Sequence, residues 1–221
     1  MPKFEWAKWV WHKFLPKKIS LCMWKAVFGC LSVDSQVRRL GIALAFGCNC
    51  CLRRQVETLE HVLGKGDFAV EVWKMASAEF RVPFVPQQGW QQRVQVWFNR
   101  ATRQSQLGTL LGLFPSVLVW RLWNRRCMAR MEDRAESVRE VWCSIKYWVP
   151  ILASQIVKVQ RLSIMDEYIL RILNVPIVEK SRVQIKVLRW VKPRLGCLKL
   201  NLDGSCVGNP SLAGGWVASE L

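Results

Sequence analysis

The side chains best suited to chemistry are Cys48-Asn49-Cys50-Cys51 and, ten positions past Cys51, His61. Cys48 and Cys51 have the C-x-x-C spacing that brings two thiolates to one metal ion, and His61 can add an imidazole nitrogen. Zinc in a closed structural site takes four such ligands. No fourth cysteine or histidine follows at the matching distance. Cysteines gathered at a turn for reasons unrelated to metal are the alternative reading of the same residues. A second candidate is Asp203, which ends Leu198-Lys199-Leu200-Asn201-Leu202, where apolar and polar residues alternate as they do in a strand. An aspartate before Gly204 and Ser205 suits a β-turn, the reading that the residue types alone favour. The pairs Arg38-Arg39 and Arg53-Arg54 flank the cysteines. They can contact phosphate oxygens or remain solvated surface charge.

These residues need elements to position them. Pro16-Lys17-Lys18 leads into a helix on which Ile19, Met23, Val27 and Cys30 share a face, and Gly29 with Ser32 marks its end. Asp34 is placed to cap a short helix from Ser35 to Leu40, with Gly41 as its stop. A further segment, 57–73, is interrupted near Gly64-Lys65-Gly66. After Phe114, Pro115 suits a first helical turn. Trp120, Trp123, Cys127, Met131, Ala135, Val138, Trp142, Ile145 and Val149 then form one apolar seam, closed by Pro150. That seam predicts a single long amphipathic helix whose tryptophans are packing anchors. Residues 175–191 are β-branched and basic and read as linker. The strand ending at Asp203, a Gly208-Asn209-Pro210 turn and a returning Gly215-Trp216-Val217-Ala218 strand then form a hairpin. The expected class is α+β: mainly helical, with a small cysteine-bearing knuckle and a C-terminal β-hairpin. The expected divisions are 1–80, a helical connector 81–150, a linker 151–189 and a C-terminal part 190–221.

Bulk properties narrow the function. The chain of 221 residues is 51% hydrophobic, enough to build a core, so wholesale disorder is excluded. Its formal charge of +17 favours polyanionic partners, nucleic acid above all. Between residues 80 and 131 there is no Asp or Glu but eight arginines: Arg81, Arg93, Arg100, Arg103, Arg121, Arg125, Arg126 and Arg130. Nine cysteines, an odd number with several in helical patterns, do not suit a secreted disulfide scaffold and point to a reducing compartment. The charged N-terminus is no secretory leader. The longest uncharged stretch, 104–120, is too short and too polar to span a bilayer. The expected location is intracellular, nucleus or cytoplasm, with no membrane partner.

Two stretches resemble known families. Leu15-Pro16-Lys17-Lys18-Ile19, Met23-Trp24-Lys25-Ala26, Val37-Arg38-Arg39-Leu40-Gly41-Ile42, Cys48-x-x-Cys51, Glu57-Thr58-Leu59-Glu60-His61 and Val72-Trp73 follow one another as in the zinc-binding domain after plant reverse transcriptases. This similarity covers residues 5–75. It implies zinc on Cys48, Cys51 and His61, in a degenerate and weak site, because Gly66 stands where that family has its last cysteine. Leu200-Asn201-Leu202-Asp203-Gly204-Ser205, Gly208-Asn209-Pro210 and Ala213-Gly214-Gly215, led by Trp190-Val191-Lys192-Pro193, resemble the opening of a plant-type ribonuclease H domain. That implies a magnesium-binding, catalytic role for Asp203 in an incomplete carboxylate set, with Gly204 and Ser205 beside the nucleic acid. Together the resemblances imply a fragment of a non-LTR retrotransposon polyprotein. The expected function is a non-catalytic remnant that binds RNA, DNA or their hybrid non-specifically through residues including Arg38, Arg39, Arg53 and Arg54. The alternative is a ribonuclease H acting on RNA–DNA hybrids, if the reading frame continues.

Overall fold

The computed structural model describes residues 6–42, 47–48, 55–156 and 163–178, and the backbone of 199–206 and 213–220. The chain divides into two compact units, Met1–Ser181 and Arg182–Leu221. In the first, α1 (Ala7–Val10), α2 (Lys17–Val27) and α3 (Asp34–Arg39) precede a π-helical turn, His61–Lys65. Then come α4 (Asp67–Glu79), α5 (Trp90–Arg100), α6 (Gln106–Met131), α7 (Val138–Ser154) and α8 (Ile164–Ile172). The second unit pairs β1 (Lys199–Cys206) with β2 (Ala213–Glu220) as an antiparallel ribbon.

The α+β class expected from the sequence, with a hairpin opening a ribonuclease H-like fold, is corrected here to a mainly helical one. No strand or sheet occurs among the described residues between 6 and 178. A ribbon of two strands provides no sheet layer for helices to cover. No helix among the described residues is long and apolar enough to cross a membrane.

One apolar core runs from Trp9 on α1 to Val175 after α8. Its centre is aromatic. Phe114 of α6 lies 4.5 Å from Phe80, 5.8 Å from Trp97 and 6.4 Å from Trp142, while Trp97 meets Trp73 at 6.3 Å. Such pairs add specific edge and offset geometry to the area they bury. α1 docks on α6 by close approach. A Cβ at Gly112 would lie 2.2 Å from the Trp9 ring, so only glycine lets that indole reach the helix.

The long seam is not one helix. α6 starts at Gln106, nine residues before Pro115, because Ser105 caps it by accepting the Gly108 N–H at 2.9 Å. It stops at Met131, and α7 packs back against it. The break is held by buried arginines. Arg121 donates to both carboxylate oxygens of Glu136 at 2.9 Å and to Ser144 at 2.8 Å, and Arg125 donates to the Glu136 carbonyl at 2.8 Å. Ser137 and Glu140 then form a capping box that starts α7.

A second buried cluster joins α3, the 55–58 segment and α6. Arg126 donates to Glu57 Oε1 through Nε at 2.9 Å, and Arg130 pairs with Asp34. The side chains of Asp34 and Glu57 are 1% exposed and that of Arg126 is 4% exposed. Burial disfavours the charge on Arg126, but the hydrogen bonds and attraction of Glu57 outweigh it and raise its pKa. Asp34, expected as a helix cap, makes no cap bond and spends its carboxylate on these arginines. Removing one partner strands a buried charge, which costs about 3–5 kcal/mol. Glu57→Gln should therefore lower unfolding stability by about 3 kcal/mol in a urea titration, and Glu57→Leu/Arg126→Met should recover part of that loss. A double variant less stable than the single one would contradict the pairing.

Candidate functional site

The turn carrying His61 is held at several points. Its five-residue backbone bond runs from the Gly66 N–H to the His61 carbonyl at 2.8 Å. The Trp73 indole N–H donates to the Leu63 carbonyl at 2.8 Å, and Arg93 donates to the Gly64 carbonyl at 2.7 Å. Glu60 accepts the Trp90 N–H at 3.1 Å and so ties the turn to the start of α5. The turn thereby presents His61 from a braced backbone.

Cys48 is buried, and its N–H donates to the Gln55 carbonyl at 2.9 Å. Cys48, His61 and Gly66 line one small cavity, walled by Phe68, Leu122 and Arg125 among others. The structure thus brings together three of the four positions implied by the resemblance. Burial pushes the His61 pKa below its ordinary value, against the pull of Asp67 and Glu57, which keeps the imidazole neutral and able to donate its lone pair. A Cβ at Gly66 would sit 3.2 Å from His61 Nε2, so position 66 faces the imidazole but carries no donor. Arg125, stacked 3.4 Å over the Phe68 ring, brings positive charge to the cavity wall, which opposes a dication. Among the described residues no group of three His, Cys, Asp or Glu could hold a metal. Cys51, Arg53 and Arg54 lie outside the described residues. The described donors at the cavity, Cys48 and His61, do not make a closed four-ligand zinc site.

Arg38 and Arg39 are exposed at the end of α3. Asp203, Gly204 and Ser205 belong to β1, opposite Trp216, Gly215 and Gly214. The arginines of the acid-free stretch divide differently from expectation. Arg93, Arg121, Arg125 and Arg126 are buried, so half of that apparent polyelectrolyte is internal. The exposed charge is concentrated elsewhere. Lys8, Lys13, Lys17, Lys18, Lys25, Arg38 and Arg39 are every cation between residues 6 and 42, and all are exposed. The one acid of that segment, Asp34, is buried against arginine. The five lysines were missed as site residues, although the near absence of acids from this segment was visible in the sequence.

Residues 1–73 match the family model for zinc-binding in reverse transcriptase, a domain typical of retrotransposons. No curated protein and no solved structure gives a significant match.

Gly66 is constrained by the turn itself, since a Cβ there would lie 2.6 Å from the His61 carbonyl oxygen. Gly66→Ala should lower stability by about 1–3 kcal/mol in a denaturant titration. An unchanged midpoint would show that the turn absorbs the methyl group.

Proposed function

We propose that this chain is a retrotransposon-derived protein that binds nucleic acid without sequence preference and carries a weakened zinc site. One observation supports the binding most strongly. Between residues 6 and 42 every cation is exposed, while the sole carboxylate is buried and paired. Such a surface attracts phosphates and meets no compensating repulsion from its own acids. The family match over residues 1–73 supports the same reading. Arg38 and Arg39 belong to this face, and Arg53 and Arg54 extend the proposed contact set by sequence position. We assign no RNA hydrolysis to these residues. Two-ion hydrolysis needs several carboxylates around its metals, and the resemblance supplies Asp203 alone. Gly204 and Ser205 have no role here beyond that resemblance.

Binding should be electrostatic. The logarithm of the affinity for an arbitrary duplex should fall with the logarithm of salt concentration at a slope on the order of −4. Arg38→Gln/Arg39→Gln should make that slope shallower. A flat salt dependence measured by fluorescence anisotropy, or no binding at low salt, contradicts the proposal.

Cys48, Cys51 and His61 are the proposed zinc ligands. Bound there, zinc would cross-link the cysteine segment to the His61 turn and add its binding energy to folding. Gly66→Cys supplies a thiolate facing His61 and should tighten zinc by about tenfold or more in a chelator competition, even though the turn must relax to admit it. Equal zinc affinity in the unaltered protein and in Gly66→Cys would contradict the ligand set.

A further inference from the structure

Where α2 crosses α6, a groove of about 360 Å³ opens on the surface. Lys18 and Lys25 of α2 and Trp120 and Trp123 of α6 line it, with Cys22 and Leu31 beside them. No Asp or Glu is among the described residues that line it. Burial pushes the Cys22 thiol up to about 12, so this side chain adds no negative charge. Both lysines are exposed, and both tryptophans are only partly buried on a helix whose other large apolar residues are mostly covered.

Each of the two indoles has a packing partner. Trp148 meets Trp120 edge-on, with centroids 5.7 Å apart and planes at 85°. The Arg126 guanidinium, itself held by Glu57, lies 4.9 Å over Trp123. Lys18 Nζ lies 5.1 Å from the Trp120 centroid. An exposed ammonium on an aromatic face is weakly held, so it can leave the ring for a phosphate oxygen. A groove that joins packed aromatic rings to exposed cations suits a strand whose bases are unpaired, because every base has a π-face to stack. A duplex keeps its base faces covered and can use only the lysines.

We propose that the groove between α2 and α6 binds single-stranded nucleic acid, with a base stacked on Trp120 or Trp123 and the adjoining phosphates held by Lys18 and Lys25. This deepens the reading of the chain as a nucleic-acid binder and rests on it. An acidic peptide or anionic lipid fits the lysines but makes no use of the paired indoles.

The test uses the full chain and three probes: a labelled single-stranded oligonucleotide, a duplex of equal length and inorganic polyphosphate. Trp120→Leu should weaken the single strand on the order of tenfold and leave duplex and polyphosphate unchanged. Lys18→Gln should weaken all three. Trp120→Phe, which keeps a ring, should retain most single-strand affinity and guards against a folding defect in the leucine variant. Ultraviolet cross-linking of the unaltered protein should place the single strand on peptides containing Lys18 to Ser32 or Trp120 to Trp123. Unchanged single-strand affinity in Trp120→Leu, or cross-links confined to other peptides, overturns the groove assignment while leaving general binding intact. Failure of all three probes to bind at low salt overturns the general reading together with it.

Discussion

The buried Arg126 of the long helix α6, with the partly exposed Arg130 one turn on, imposes the main constraint on this molecule. A guanidinium removed from water must find carboxylates, and here the partners are Glu57 and Asp34. The pairing fixes the start of α3 and the 55–58 segment against α6. That segment leads directly into the turn that presents His61. It also withdraws from the surface the only acid between residues 6 and 42, which leaves every exposed charge of that segment positive. One internal electrostatic demand therefore bears both on the cavity at His61 and on the charge of the segment 6–42.

The segment that matches the reverse-transcriptase zinc-binding family does not build its core alone. Trp9 rests on Gly112, and Trp73 packs with Trp97 and through it with Phe114. The turn bearing His61 is braced by Trp73, by Arg93 and, through Glu60, by the N-terminus of α5. Two of these anchors come from α5, outside the matched residues 1–73. Helix packing and buried hydrogen bonds thus carry the geometry around Cys48 and His61. A metal held there by an incomplete ligand set would add to that support.

Local signals in the sequence were legible where local physics decided the outcome. Pro16 leads α2, Gly29 and Gly41 take positive φ just past α2 and α3, and of the expected break at 64–66 it is Gly66 that separates the π-turn from α4. Cys48, His61 and Gly66, singled out in the sequence, line one cavity. Tertiary pairing was not legible. An apolar seam from Trp120 to Val149 looks the same whether one helix runs through or two fold back. The reversal depends on Arg121 and Arg125 gripping Glu136, although the Ser137-x-x-Glu140 capping signature was present. An arginine-rich stretch likewise gave no sign that Arg93, Arg121, Arg125 and Arg126 would be buried. The α+β expectation failed because strand-like alternation near Asp203 was weighed as fold class, whereas the core is built by helices.

Lysine reactivity, mapped with and without bound nucleic acid, tests the central claim most directly. Acetylation of Lys13, Lys17, Lys18 and Lys25 should fall when a saturating oligonucleotide is present. Lys74 and Lys146, which pair with Glu71 and Glu79 on α4, should react as before. Protection confined to the first group is the predicted result. Equal protection at all of these lysines, or protection of Lys74 and Lys146 alone, would contradict a binding face made by residues 6–42.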